Sequence, residues 1–231
     1  MAIIGTERGR HLYDISFIVS FRCDLACTFC MYSSGPDVAG ELDPALAQRF
    51  IDTIDLDCVN AFGLYGGEPA LFIPQNTAIL RMLPEKPRFV ISNGTWSQSV
   101  ERTQEFMDWA DEWGLRVFVS STAQHRRAQD RAVLLALVAA GRIVLKPAEP
   151  SFIPMGRLAR PDAQCTRLCD HDDKPTRIAL QPDGMVMFQN CDGDYPAIGT
   201  AAEGFPVAAA RLKAQGWRSR CPLYREANAI F

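Results

Sequence analysis

No block of lysine or arginine stands out in this sequence, whose 24 basic and 27 acidic residues leave a net charge of −3. Proteins that hold an extended phosphate backbone do so through clustered cations, so the composition argues against a nucleic-acid partner. Long hydrophobic runs are missing too. The longest apolar stretches, such as Ala132–Ala140, fall well short of the ~20 residues a membrane-spanning helix needs. The segment Met1–Tyr13 carries Glu7, Arg8 and Arg10 and no apolar stretch of signal-peptide type, so a cytoplasmic protein without a membrane partner is expected. Histidine is scarce: His11, His125 and His171 have no mutual spacing that suggests a site, and His171 is expected in an exposed turn. Sequence repeats and low-complexity tracts are also lacking.

What is present is an ordinary globular balance, 48% hydrophobic and 22% charged over 231 residues, enough for one domain with a small appendage. Against that background eight cysteines are many. A secreted disulfide scaffold would explain them, but the large conventional core and the absence of a secretion signal argue otherwise. Cys23, Cys27 and Cys30 sit together; Cys165, Cys169, Cys191 and Cys221 follow much later. Clustering of this kind in a reducing compartment points to metal. Cys58 stands apart in an apolar stretch and is expected to pack as a small hydrophobe at the start of a buried strand.

The first two-thirds of the chain alternate strand and helix signals. Strands are expected at 14–21, 59–65, 88–92, 115–121 and 142–146. Helices are expected at 43–54, with Asp43 as N-cap and Pro44 at N1, and at 75–83, 99–113 and 126–140. Phe106, Trp109 and Trp113 have helical spacing and read as core. Repeated βα units demand a parallel sheet, because each crossover helix returns the chain to the same edge. The expected fold is α/β: a partial, open parallel β/α barrel of five to six strands, spanning residues 1–150. The pattern changes near residue 147. Lys146–Pro161 suits a connecting segment, and 177–181 and 185–189 flank a Pro182-Asp183-Gly184 turn as a hairpin. Residues 151–231 are expected to form a small cluster-binding module, with cysteines on both sides of that hairpin.

Cys23-x3-Cys27-x2-Cys30 begins directly after the first expected strand. Three thiolates within eight residues can hold one corner of an iron–sulfur cube, whereas a 4Fe–4S cluster ordinarily takes four cysteines. One iron is thereby left open for an exogenous ligand, as catalytic metal centres require. Zinc would want a fourth ligand, and none lies nearby in sequence. The location beyond the C-terminal end of a parallel strand is where such folds do chemistry.

This spacing resembles the signature of the radical S-adenosylmethionine (SAM) superfamily. Phe29 matches the aromatic position that packs near the adenine in that family. Gly66-Gly67-Glu68-Pro69, after the second strand, is similar to its GGEP motif; the resemblance implies that the glycines let the backbone approach the ligand and that Glu68 helps hold the methionine ammonium group. Ser92-Asn93-Gly94 resembles the family's "TNG"-like turn, whose polar residues reach the ribose or carboxylate of SAM. Ser120 and Ser121 fall where another SAM contact is common. Taken singly, the GGEP and Ser92-Asn93-Gly94 stretches would be ordinary turns and Phe29 plain core.

The second group of cysteines resembles the auxiliary-cluster extensions called SPASM and twitch domains, in which cysteines flank a Pro-Asp-Gly hairpin. Pro154-Met155-Gly156-Arg157-Leu158 is similar to the segment that precedes those modules. The full SPASM pattern carries seven cysteines and two clusters. Here Cys165, Cys169, Cys191 and Cys221 suffice for one auxiliary cluster, so the twitch-like version fits better. Whether Cys165 is a ligand stays open; zinc is the other metal these ligands permit, with 4Fe–4S the preferred reading.

The resemblance implies an enzyme with a SAM-binding 4Fe–4S cluster, an auxiliary cluster and an external one-electron donor such as a flavodoxin or ferredoxin. SAM would be split to a 5′-deoxyadenosyl radical that abstracts a substrate hydrogen. Oxidative modification of a peptide or small natural product is the expected reaction. The dozen residues before the first strand are too few for a separate leader-peptide recognition domain. The alternatives are an activase that places a glycyl radical on a partner protein, and an iron–sulfur or zinc redox or scaffold protein without radical chemistry.

Overall fold

The computed structural model of the chain describes residues 6–7, 10–146, 157, 176–188 and 197–214. A two-stranded antiparallel hairpin, β1 (Thr6–Glu7) and β2 (Arg10–His11), precedes the main sheet. Then β3 (Tyr13–Phe17), α1 (Pro44–Ile51), β4 (Val59–Leu64), α2 (Ile73–Met82), β5 (Arg88–Ser92), α3 (Val100–Glu112) and β6 (Leu115–Ser120) alternate along the chain. They are followed by α4 (Ala123–Arg126), α5 (Arg131–Ala139), β7 (Ile143–Lys146), β8 (Thr176–Leu180), β9 (Met185–Phe188), β10 (Ala197–Thr200) and α6 (Gly204–Ala214).

Eight strands form one sheet in the order β10-β9-β8-β3-β4-β5-β6-β7. The six from β8 to β7 are parallel, and β9 and β10 extend the sheet antiparallel. Its outer strands β10 and β7 do not pair, so the sheet stays open. The five strands expected before Pro147 are all present. The first strand of the late hairpin adds a sixth by pairing in parallel with β3, Ile15 opposite Ile178. The hairpin is thus continuous with the main sheet. Its turn forms as its residues dictate: Gly184 takes φ +79, and the Met185 amide donates to the Asp183 carboxylate at 3.0 Å.

Local signals explain most boundaries. The Asp43 carboxylate accepts the Ala45 amide at 2.8 Å with Pro44 in the first turn of α1. The Ser99 hydroxyl caps α3, and Gly114, at φ +60, follows its end. Two boundaries differ from expectation. The first strand ends at Phe17 rather than residue 21, because Ser20 leaves the ladder to bridge Glu41 and to receive the Gly67 amide. The helix expected over 126–140 starts only at Arg131, and a separate short helix, α4, ends at Arg126. Asp130 accepts the amides of Ala132 and Val133 and starts α5, while the Gln129 amide group donates to the carbonyls of Asn93 and Ser120 at 2.6 and 2.7 Å. Those bonds hold Gln129 in the gap between the two helices. Cys58 packs against the core just before β4 as expected, though it is half-buried, closes a single 3-10 turn rather than opening the strand, and its thiol donates to Asp55 at 3.4 Å.

The sheet's two faces are unlike. One carries Ile15, Phe17, Phe62, Leu64, Val90, Val117 and Val119, all buried and packed with Phe50, Leu80, Phe106 and Leu134 from the helices. Trp96 and Phe106 stack at 4.7 Å inside this core. Across β5 and β6 the other face shows half-buried Phe89, Ile91 and Phe118 and exposed Arg116. Gly63 lies beneath Phe89: a Cβ there would meet the ring at 2.4 Å. Among the described residues no helix is long and apolar enough to cross a membrane.

Candidate functional site: the cysteine loop and its neighbours

Leaving β3, the chain runs into a loop that carries all three early cysteines. None is disulfide-bonded; Cys23 and Cys27 are buried and Cys30 is half-buried. The loop is tied to its own return path. Cys23 N–H donates to Gly35 O, and Gly35 N–H to Phe21 O, around a parallel bridge between Arg22 and Gly35. Cys30 N–H donates to Cys27 O and Ser33 N–H to Cys30 O, so the last cysteines sit on successive turns.

Donors converge on the sulfurs. The Leu25 amide lies 3.4 Å from Cys23 Sγ, the Asn93 side-chain amide 3.6 Å from the same atom, and the Ser34 amide 3.3 Å from Cys30 Sγ. Hydrogen bonds of this kind stabilise thiolates that ligate iron. Without a cation, burial pushes the Cys23 thiol up to about 12 and the Cys27 thiol up to about 11. A bound metal supplies the positive charge that reverses this, because coordinating thiols are deprotonated. Three uncoupled thiols, two of them met by N–H donors, therefore fit an iron–sulfur cluster by donor chemistry. Among the described residues no three His, Cys, Asp or Glu side chains are placed to hold one metal ion. Ligands on three separate irons of a cube need not converge on a single point.

The two glycine-bearing turns meet this loop at the C-terminal ends of β4 and β5. Gly67 N–H donates to Ser20 O at 2.9 Å and Glu68 N–H to Arg22 O at 3.0 Å. A Cβ on Gly67 would lie 1.9 Å from Arg22 O, so the close approach its glycine permits is between two stretches of the chain's own backbone. Gly66, at φ +129, has the conformation that makes this turn, and Pro69 is buried at the start of the 3-10 turn that follows.

Glu68 is 1% exposed, and its carboxylate joins the two turns. One oxygen accepts the Ser92 hydroxyl at 2.7 Å and the Ala70 amide at 3.0 Å; the other accepts the Asn93 amide at 2.7 Å. Ser92 Oγ in turn accepts from the Gly94 amide and Trp96 Nε1, both at 2.9 Å. The Asn93 side chain donates to Asp24 at 2.7 Å, and Thr95 Oγ1 to the other Asp24 oxygen at 2.6 Å. Cysteine loop, GGEP turn and Ser-Asn-Gly turn are one hydrogen-bonded unit.

Burial outweighs these donors and pushes Glu68 up to about 7 from an ordinary 4.5. The folded chain then holds a proton that the unfolded chain has released. The stability from this group is complete below about pH 4.5 and is lost as pH rises through about 7. Urea midpoints measured from about pH 4 to about pH 8 should fall across that window. In Glu68→Gln the slope should flatten. An unchanged slope in the variant would mean Glu68 is not its source.

The remaining residue brought to the loop is one the sequence reading set aside. Helix α4 follows β6 and docks on the cysteines. Gln124 donates to Ala26 O at 3.3 Å and accepts the Thr28 amide at 3.2 Å, one residue to either side of Cys27. His125 is buried, with Nε2 3.6 Å from Cys27 Sγ and Nδ1 2.9 Å from Thr122 Oγ1. Burial lowers its pKa. Phe29 meets the His125 ring edge-on, centroids 5.6 Å apart. The available signal was position: His125 lies just past a parallel strand's C-terminal end, where the other turns converge. Ser121 is buried at this end of β6, its carbonyl accepting Arg126 Nη1 at 3.0 Å.

Arg157 closes the loop from outside. Its guanidinium donates to Cys27 O at 2.7 Å, Ser34 O at 2.6 Å and Ser33 O at 3.2 Å, and its amide donates to Cys30 O at 3.0 Å. A rigid fork serves three carbonyls in a way a single ammonium does not. Both Arg157→Ala and Arg157→Lys should therefore loosen the loop, read as faster amide exchange at residues 27–35, with the lysine variant recovering only part of the protection. Equal exchange in all three proteins would count against this role. Cys165, Cys169, Cys191 and Cys221, with Pro154-Met155-Gly156, Leu158 and His171, lie outside the described residues.

Fold and site together describe an open α/β sheet with a thiol-rich loop at the C-terminal end of its parallel strands. No protein-family model matches the chain, and no curated protein does. Among solved structures, native anSMEcpe with bound AdoMet and Cp18Cys peptide is similar at 11% identity and TM-score 0.49, over 89% of this chain and 82% of that one. Streptococcus suis SuiB bound to S-adenosylmethionine is similar at 12% identity and TM-score 0.42, over 91% and 71%. Native anSMEcpe with bound AdoMet gives 17% and 0.42 over 57% of this chain, which spans 42% of that one. At identities and scores this low, the reading of the site rests on this chain's own residues.

Proposed function

We propose that the chain is a radical SAM enzyme that oxidatively modifies a peptide or small natural product. The observation that carries the reading is the union of three motifs in one unit. The Cys23-Cys27-Cys30 loop, the Gly66-Gly67-Glu68-Pro69 turn and the Ser92-Asn93-Gly94 turn share hydrogen bonds at one end of the parallel strands. Separately each could be an ordinary turn; in this order and contact they match the superfamily's pattern.

In this reading Cys23, Cys27 and Cys30 hold a 4Fe–4S cluster with one iron left for SAM. When bound, the cluster and SAM supply reductive cleavage of the sulfonium, which yields methionine and a 5′-deoxyadenosyl radical able to take a substrate hydrogen. The protein's work is placement. The backbone around Gly66 and Gly67 is proposed to offer acceptors to the methionine ammonium group, with buried Glu68 bracing that turn through Ser92 and Asn93. Asn93, with buried Ser92 bracing its turn, offers a polar group to ribose or carboxylate, Phe29 a ring beside the adenine, and Ser121 a further contact. Cys165, Cys169, Cys191 and Cys221 are proposed to hold an auxiliary cluster that takes up the electron left by the oxidation. A flavodoxin- or ferredoxin-like donor is the proposed partner, and SAM a consumed co-substrate. The half-buried aromatic face of Phe89 and Phe118, flanked by Arg116, is a surface on which such a substrate could lie.

The test is anaerobic reconstitution with iron and sulfide, then dithionite and SAM. Formation of 5′-deoxyadenosine is expected. A protein that stays colourless, or a brown one that releases none, overturns the proposal in favour of a zinc scaffold or an electron carrier respectively.

A further inference from the structure

His125 is buried at the cysteine loop, and Gln124 fixes the backbone on both sides of Cys27, so the ring's approach to that sulfur is set by three contacts to one short segment. The hydrogen positions depend on what each ring nitrogen faces. Thr122 Oγ1 accepts the His125 backbone N–H at 3.4 Å and lies 2.9 Å from His125 Nδ1. A hydroxyl has one proton to give and two lone pairs, so Thr122 can donate to Nδ1 or accept from it; a ligating thiolate at Cys27, which can only accept, selects the arrangement in which Thr122 donates. The ring's own proton is then on Nε2, the nitrogen 3.6 Å from Cys27 Sγ. Phe29 packs edge-on against the same ring and limits its rotation.

We infer that His125 is a positioning residue for the cluster, donating Nε2–H to Cys27 Sγ through a relay that begins at the Thr122 hydroxyl, and that this bond raises the cluster's reduction potential. The inference rests on the reading of Cys23, Cys27 and Cys30 as cluster ligands. A donor on a ligating sulfur withdraws charge from the iron and favours the reduced state. The ring contributes no ligand of its own, so the iron left open for SAM stays open.

Two measurements test it, neither of them an activity. In the reconstituted protein with its cluster oxidised, nitrogen and carbon shifts of the His125 ring should report the Nε2–H tautomer; an Nδ1–H ring overturns the relay. In the reconstituted full chain, the site-specific cluster is identified as the EPR signal that SAM perturbs, and its midpoint is followed by redox titration. His125→Phe, which keeps the contact with Phe29, should move the midpoint to more negative values. His125→Gln, which restores a donor, should recover part of the shift. Thr122→Val should move it in the same direction as His125→Phe by a smaller amount. If His125→Phe fails to assemble a cluster, Thr122→Val and His125→Gln decide the matter between them. Midpoints equal to that of the unmodified protein, with the SAM-perturbed signal intact, overturn the inference and leave the enzyme reading standing. Strong nitrogen hyperfine coupling at the iron would overturn it by making His125 a ligand. Failure of the unmodified chain to take up any cluster removes the reading on which it rests.

Discussion

Cys27→Ala is expected to reduce 5′-deoxyadenosine formation to background in the reconstituted protein, while the loss of iron is confined to one cluster, about four atoms per chain. The reason is coordination number. Three thiolates leave a single iron for SAM; two leave a second iron without a protein ligand, and the cube is no longer held. The backbone at Cys27 is held by Gln124 on both sides and by Arg157 on its carbonyl. Its removal leaves that scaffolding in place and deletes the sulfur alone. Two controls bracket the result. Cys191→Ala should spare SAM cleavage and block substrate oxidation, because it belongs to the proposed second cluster. Cys58→Ala, whose thiol bonds Asp55 away from the loop, should change neither iron content nor cleavage. Retention of full cleavage by Cys27→Ala would sink the assignment of the loop.

Gly67→Ala should be among the most destabilising single methyl additions in the chain. The added carbon would fall 1.9 Å from Arg22 O, 2.6 Å from Arg22 C and 2.9 Å from Phe21 C, and all three are backbone atoms with no side-chain freedom to yield. Relief requires the turn to withdraw, which costs the Gly67–Ser20 and Glu68–Arg22 hydrogen bonds. A loss of about 3 kcal/mol or more follows from overpacking and the lost bonds. For a chain of this size that is a drop in melting temperature of about 6–12 °C. Gly114→Ala is the comparison: unlike Gly67 it has positive φ, +60, but nothing lies within 4 Å of its Cβ. Its cost should be confined to the left-handed backbone, about 1 kcal/mol. Equal melting temperatures for the two variants would mean the chain does not approach itself at Gly67 as described.

The strands, most helices and the three motif turns were legible in the sequence because their causes are local. Asp43-Pro44 caps a helix, Pro182-Asp183-Gly184 makes a turn, and apolar runs of the right length make buried strands. What escaped was decided at a distance. The break between α4 and α5 comes from Gln129 reaching Asn93 and Ser120, contacts no periodicity encodes. His125 was dismissed because its partners are Cys27 and Phe29, almost a hundred positions away. Gly67 was read as making room for a ligand, whereas its near neighbour here is Arg22. The sixth parallel strand was seen as part of a hairpin; its place beside β3 depends on pairing across more than 150 residues. Strand β10 and helix α6 lacked a clear signal, since Ala197–Thr200 is four residues long and α6 opens on Gly204.

That pairing has a consequence for how the protein comes into being. Synthesis delivers β3 and the cysteine loop early, yet the neighbour that covers one edge of β3 emerges only after residue 176. Until then the strand next to the thiols offers an open row of backbone donors and acceptors, a ready template for stray pairing. Contacts of such long sequence separation also form slowly. A ribosome-bound chain halted near residue 150 should therefore be sticky and poorly protected, and its thiols exposed to premature oxidation. Cluster loading on a nearly finished chain would avoid that hazard.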